Sequence, residues 1–128
     1  MAVTPPPSAP PAVVALCGKL LGALPTELGG TPARPVSAAP ERVVAWGDPP
    51  VVLRCGVPPV EVPPDTNKQF EISGVRWFAV VRGHTVVFTT TDRTVPVEVT
   101  VPASRPGNPA DVVATLAEPV GRTIPVRG

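Results

Sequence analysis

The sequence is poor in the residues that build catalytic, metal and redox sites, with one histidine, two cysteines and no tyrosine in 128 positions. Charged residues make up only 16% of the chain, and the 11 basic residues nearly balance the 10 acidic ones, for a net charge of +1. Surfaces that bind nucleic acid or anionic membranes need a basic excess. Nucleic acid is therefore not an expected partner.

Long apolar runs are also missing. No stretch approaches the roughly 18 apolar residues needed to cross a bilayer. Met1 leads quickly into prolines, without the charged region and apolar stretch of a signal peptide. We expect that the sequence has been cut just after a signal peptide or membrane anchor, so that membrane contact would occur only through an anchor absent from this sequence.

No pattern of a known chemical site is visible. His84 is predicted at an exposed hairpin tip beside Gly83, with no neighbouring carboxylate or nucleophile to complete a catalytic set. The acidic residues are scattered, no Cys/His spacing matches a zinc or EF-hand site, and no glycine-rich loop joins a strand to a helix. We assign no catalytic, cofactor-binding or metal-ligating residue, expect no cofactor, and predict that the chain is not an enzyme.

Proline and glycine are abundant, with 21 and 11 residues, and 43% of the chain is hydrophobic. This composition predicts one hydrophobic core built from short elements. Residues 1–10 (MAVTPPPSAP) are predicted to form a Pro-rich tether, because consecutive prolines hold the backbone extended. Residues 11–128 are predicted to form a single α+β domain.

Apolar residues at helical spacing predict a first helix from Pro11. The stripe consists of Val13, Leu16, Cys17, Leu20, Leu21 and Leu24. Pro25 is predicted to end this helix, or to kink it before a last turn through Leu28, and residues 31–40 are predicted to be a loop. Asn108 is predicted to cap a second helix that Pro119 limits, and residues 123–126 are predicted to be a tail or a short final strand.

Short segments rich in β-branched residues predict antiparallel strands. The predicted strands are residues 41–46 and 51–55, followed by a meander of residues 69–73, 75–82, 85–91 and 94–101. Residues 56–68 are too rich in proline for a central strand and belong to an edge or a loop. Because each helix needs an apolar surface to lie on, both helices are predicted to pack on one face of the antiparallel meander.

Cys17 and Cys55 are the only cysteines in the sequence. A disulfide between them is the simplest interpretation of an isolated pair without a Cys-x-x-Cys motif, and it would place the protein in an oxidising compartment. Two free buried thiols are the alternative. A bridge would close a long loop and contribute a large share of the stability of a small domain.

The candidate interaction surface consists of Trp46, Asp48, Arg54 and Trp77. The first three lie around the Gly-Asp-Pro-Pro turn, where they either fill the core edge, cap the turn and pair with a carboxylate, or line a recognition groove. Trp77 lies in a segment that is apolar on both alternating faces. That strand is either central and covered on both sides, or it carries an exposed apolar patch.

Several blocks carry a resemblance to a known family. They are the helix from Cys17 to Pro25, the Arg34-Pro35-Val36 segment, residues 45–56 (AWGDPPVVLRCG), Trp77, the Thr89-Thr90 pair, and residues 97–102 (VEVTVP). In these blocks the chain resembles the actinobacterial family known as domain of unknown function 3515. The resemblance implies an exported or membrane-anchored protein. It implies no known activity, so no site residue is carried over.

Two hypotheses for the function follow. The first is a monomeric, non-catalytic domain of the cell envelope, secreted or anchored on the outer face of the cytoplasmic membrane, that binds a protein or cell-wall component through the second sheet face or a groove near Trp46. The second is a small-ligand carrier or an enzyme whose site is assembled near Trp46, Asp48 and Arg54. Glu98 and His84 would converge with them in three dimensions.

Overall fold

A computed structural model describes residues 4–127 of the chain. It contains two helices, α1 (Pro11–Ala23) and α2 (Pro109–Thr123). The eight strands are β1 (Glu27–Leu28), β2 (Thr31–Arg34), β3 (Val43–Trp46), β4 (Val51–Cys55), β5 (Gln69–Ile72), β6 (Val75–Arg82), β7 (Thr85–Thr90) and β8 (Val97–Pro102). None of the helices within residues 4–127 is both long and apolar enough to cross a bilayer.

All eight strands form one antiparallel sheet in the order β1-β2-β3-β4-β8-β7-β6-β5. The predicted β5–β8 meander and β3–β4 hairpin are both present, and β4 joins them by pairing with β8. The α+β prediction is therefore confirmed. β5 and β1 are the two terminal strands of the sheet.

The sheet has one face covered by the two helices and one open face. On the helix-covered face, Val51, Leu53 and Cys55 of β4 are fully buried together with Leu116 of α2. The open face carries the alternate residues, such as Arg54 and its cross-strand neighbour Glu98. The strict alternation along β4 and β8 follows from the strand period of two, which sends successive side chains to opposite faces.

The predicted disulfide joins Cys17 of α1 to Cys55 of β4, with a Cα–Cα distance of 5.7 Å. Both side chains are fully buried in the core. The bridge attaches α1 to the central part of the sheet, and the prediction of a Cys17–Cys55 bond is confirmed. The alternative of two free buried thiols does not apply.

Two predictions for the segment after α1 were wrong in part. The helix has no last turn through Leu28, because residues 24–26 leave the helix and Leu28 belongs to β1. Residues 31–34, which were predicted to lie in a loop, form β2. Gly29 and Gly30 both have positive φ, at 59° and 82°, and they close the β1–β2 turn. A two-residue strand carries too short a pattern to be recognised from the sequence, and it is held by pairing with β2, which in turn pairs with β3.

The predicted end of the second helix was also wrong. α2 continues through Pro119 to Thr123, and residues 123–126 form no regular strand, only an isolated bridge between Arg93 and Val126. A proline inside a helix costs about 3 kcal/mol because it removes a hydrogen bond and crowds the preceding turn. Burial of the apolar side chains on both sides of Pro119, including Leu116 and Val120, outweighs this cost.

The described part of the predicted tether lies against the domain. We call residues 4–7 the N-terminal strap. Pro6 is buried, and the Arg42 guanidinium donates hydrogen bonds to the carbonyls of Pro6 and Pro7, while Arg54 Nη1 donates to Thr4 O at 3.1 Å. Residues 1–3 of the predicted tether lie outside the described residues.

Removal of residues 1–7 is expected to lower the free energy of unfolding by about 1–3 kcal/mol, because the buried Arg42 guanidinium loses two of its carbonyl acceptors. Urea denaturation measures this loss. The same deletion in an Arg42→Met background is the control, and there the cost of the deletion should shrink by about 1 kcal/mol or more, since the two changes share one set of contacts. Additive effects of the two changes would show that Arg42 does not hold the strap.

Candidate functional site

The four residues of the predicted interaction surface do not share a surface. Trp46 and Trp77 are both fully buried on the helix-covered face, where they belong to the core. Arg54 projects from the open face, and Asp48 lies exposed in the β3–β4 turn. Their separation corrects the prediction of a groove near Trp46, because Trp46 and Arg54 lie on opposite faces of the β3–β4 hairpin.

Arg54 and Glu98 do meet, but they satisfy each other. Arg54 Nε and Nη2 donate to the two carboxylate oxygens of Glu98 at 2.8 and 3.0 Å. The pair lines an open-face pocket of about 350 Å³ together with Arg82 and Thr4. A two-point guanidinium–carboxylate pair of this kind uses the donors and acceptors that a ligand would need. Its position agrees with a structural role.

The other predicted polar residues lie apart. Asp48 Oδ2 is 3.6 Å from Arg34 Nη1 in a solvent-exposed ion pair. His84 is exposed in the two-residue turn between β6 and β7, and Gly83 beside it adopts the positive φ that was predicted for a tight hairpin. Among residues 4–127, no three His, Cys, Asp or Glu side chains are grouped closely enough to hold a metal ion.

An apolar groove of about 520 Å³ lies on the helix-covered face, between the start of α2 and strands β5, β6 and β7. The side chains that line it from the sheet are Phe70, Ile72, Ala79, Val81, Val86 and Phe88. Asn108, Pro109 and Ala110 form its helical wall. We refer to it as the apolar groove.

The groove exists because the β6–β7 hairpin extends beyond α2. The later part of α2 lies near the start of β6, where Arg93 bridges Ile124 O and Gly74 O, and Ser73 Oγ donates to Ala114 O. β6 then runs for eight residues. Val81 at its far end is 74% exposed, whereas Trp77 on the same face is fully buried.

The apolar groove has one cationic group at its rim. Lys68 lines it, and its carbonyl accepts the Ala79 backbone N–H at 3.0 Å, which continues the β5–β6 register by one residue. Within residues 4–127, Lys68 forms no ion pair. Glu71 also lines the groove, but the alternation of the strand sends its side chain to the open face, opposite Arg76. The groove therefore combines an apolar floor with a single unpaired positive charge.

β5 offers a backbone edge beside the apolar groove. It is the terminal strand and pairs only with β6 among the described strands. Hydrogen-bonded pairs alternate with non-hydrogen-bonded pairs along an antiparallel ladder. Because the Ala79 N–H donates to Lys68 O, the backbone groups of Lys68, Phe70 and Ile72 point towards β6. The N–H and C=O groups of Gln69 and Glu71 therefore point outward, and both residues are exposed.

Sequence reasoning did not locate the apolar groove, although one signal pointed towards it. The segment around Trp77 was predicted to be either fully covered or to carry an exposed apolar patch. The alternative of a strand covered on both sides was wrong, because the face of β6 that carries Arg76 is open. The exposed apolar patch is present at Val81, on the same face on which Trp77 is buried. The position of α2 across the sheet decides where the change occurs.

Comparison with known proteins identifies a family but no activity. The model of the family DUF3515, described as a protein of unknown function, matches residues 1–128, which is the whole chain. No curated protein matches the sequence. No solved structure matches it either.

Proposed function

Because this chain belongs to the DUF3515 family, whose description names no activity, we propose its function from its own surface: a non-catalytic, extracytoplasmic domain of the cell envelope that binds a protein through the apolar groove. The observation that carries the proposal is the exposure of Phe70 and Val81, at 44% and 74%, in one continuous apolar depression. Contiguous exposed apolar patches are uncommon on monomers and typically mark interaction sites.

The shape and chemistry of the apolar groove suit a protein partner. Interface cores are depleted in charged residues and rich in aromatic and aliphatic anchors, and the floor of the groove has this composition. The rim supplies Lys68 and the outward backbone of β5 as polar contacts around the apolar centre. Burial of Phe70 and Val81 against a partner would remove the largest unfavourable exposure on this side of the domain.

The compartment is proposed from the disulfide. Disulfides form and persist mainly in oxidising spaces outside the cytoplasm, and the Cys17–Cys55 bridge is buried in the core of this domain. A binding domain in that location has proteins and other components of the cell envelope as its neighbours.

Photo-crosslinking from position 81 tests the proposed function. In cells that naturally express the protein, a photoreactive residue at position 81 is expected to give a discrete protein adduct, at least about ten-fold above the same residue at position 126. Val126 is the matched control, because it is also an exposed apolar residue, at 59%, but does not line the apolar groove. Phe70→Ser should reduce the adduct at position 81. An adduct no stronger than that from position 126 would refute the proposal.

A small-ligand carrier is the second candidate function. The groove volume of about 520 Å³ is within the range of small-molecule sites, which is about 300–1,000 Å³. Native mass spectrometry of the purified protein distinguishes the two functions. A carrier should show a bound apolar molecule that is lost in Val81→Asp, whereas a protein-binding domain should show the mass of the chain alone.

A further inference from the structure

We propose that the partner is an extended polypeptide segment that adds to the free edge of β5 as an antiparallel strand and presents the pattern apolar-x-apolar-x-acidic, read from its N-terminus. This inference rests on the proposed function, because it names the kind of protein segment that the apolar groove receives. It combines three features that lie side by side: the outward backbone of β5, the apolar floor and the unpaired Lys68.

The backbone of β5 determines which partner residues make hydrogen bonds. The N–H and C=O groups of Gln69 and Glu71 point away from β6, so an added strand would form its hydrogen-bonded pairs at these two residues. The partner residue between those two pairs stands opposite Phe70. Its own N–H and C=O point away from β5, and its side chain is on the same face as Phe70, over the apolar groove.

The side chains of β5 then determine the pattern. In an antiparallel pair, the partner residue two positions before the central one stands opposite Ile72, and the residue two positions after it stands opposite Lys68. The first two positions meet apolar side chains, so they should be apolar. The third meets the unpaired cation, so it should be acidic. The intervening residues project from the open face and are less restricted.

Charge complementarity favours a separate acidic segment over a second copy of this chain. If β5 paired with its own copy about Phe70, Lys68 of each copy would stand opposite Ile72 of the other, and both cations would remain unpaired. A lipid with an anionic headgroup could occupy the apolar groove and meet Lys68, but it would leave the outward groups of Gln69 and Glu71 unused. A polypeptide satisfies all three features, as in other proteins that bind peptides by strand addition.

The test uses a defined probe, the peptide acetyl-Thr-Val-Thr-Val-Thr-Glu-Thr-amide, titrated into the disulfide-bonded protein labelled with ¹⁵N. The backbone amides of Gln69 and Glu71 are expected to shift and saturate. Methylation of the amide nitrogen in either threonine that flanks the second valine should weaken binding by at least about ten-fold, because each change removes a hydrogen bond to β5. Methylation at the second valine is the matched control and should change affinity by less than about three-fold, since that N–H points outward.

Two further comparisons test the direction of the strand and the charge. The reversed peptide, acetyl-Thr-Glu-Thr-Val-Thr-Val-Thr-amide, should bind at least about ten-fold more weakly, because it would place glutamate against Ile72. Replacing the glutamate by glutamine, or Lys68→Gln in the protein, should each weaken binding about two- to five-fold. Both changes together should weaken binding no more than either change alone, because they remove the same exposed ion pair.

The outcomes separate this inference from the proposed function. Strand addition would be overturned if peptides methylated at a threonine and at the second valine bound equally well, or if the forward and reversed peptides did. An adduct at position 81 would still support a protein partner in that case. No shift in the β5 amides at millimolar peptide would also overturn it. Phosphatidylglycerol vesicles that bind the wild-type protein but not Val81→Asp would identify a lipid surface instead, and a concentration-dependent dimer that excludes the peptide would identify a second copy.

Discussion

Loss of the Cys17–Cys55 disulfide is expected to lower the free energy of unfolding by about 4 kcal/mol. The bridge closes a loop with a sequence separation of 38, and in the unfolded chain that closure removes many conformations. A small domain has a total stability of only about 5–15 kcal/mol, so the reduced protein should be far easier to unfold. Denaturation by urea with and without reductant measures the difference.

The double variant Cys17→Ala/Cys55→Ala is the control for chemical effects of the reductant. It should be destabilised to a similar extent in both conditions, because it cannot form the bridge in either. A loss below about 1 kcal/mol on reduction would mean that α1 is held on the sheet mainly by its packing and that the chain-entropy account does not apply here.

Trp46→Ala is expected to destabilise the protein by about 3–5 kcal/mol, the range for removing a buried tryptophan from a core. Trp46 is fully buried at the end of β3, opposite Ala33 of β2, and its indole N–H donates to Pro25 O at 3.2 Å. The substitution therefore removes both packing and the hydrogen bond that attaches the segment after α1 to β3. Equilibrium unfolding followed by circular dichroism measures the change without relying on tryptophan fluorescence.

Phenylalanine substitutions at the two tryptophans form a matched pair. Trp77 is equally buried, but its Nε1 has no hydrogen-bond partner among the described residues. Trp46→Phe is therefore expected to cost about 1 kcal/mol more than Trp77→Phe, because only Trp46→Phe breaks a hydrogen bond and leaves a carbonyl without its donor. Equal costs for the two changes would contradict a stabilising role for the bond to Pro25.

The apolar groove and Thr4 of the N-terminal strap lie on different faces of the same sheet. Thr4 lies in the open-face pocket with Arg54 and Arg82, whereas the groove is on the helix-covered face beside β5. The sheet therefore separates Thr4 from the apolar groove.

Patterns that act over a few residues account for the parts of the fold that were predicted correctly. The alternation of Val97, Val99 and Val101 predicted a half-buried strand, and all three side chains are buried in β8. Asn108 accepts a hydrogen bond from the Ala110 N–H, as predicted for the cap of α2. In each case the neighbouring residues alone determine the local geometry.

The errors arose where contacts with distant residues outweigh local preference. The sequence shows a proline at position 119 that should limit a helix, but the buried side of α2 continues past it because the sheet provides an apolar surface there. The two-residue strand β1 is stabilised only by pairing with β2. Neither effect can be read from neighbouring residues, because the partner that supplies the energy is not among them.

The sequence by itself determined the α+β class, the paired cysteines, the two tight hairpins of the meander and the family. Only the tertiary structure decided that both tryptophans are buried, that the strap is bound by two arginines, and that an apolar groove opens beside β5. The physical reason is that periodicity states which side of a strand is apolar, whereas exposure depends on what covers that side. Along β6 the same apolar face is buried under α2 at Trp77 and open to solvent at Val81.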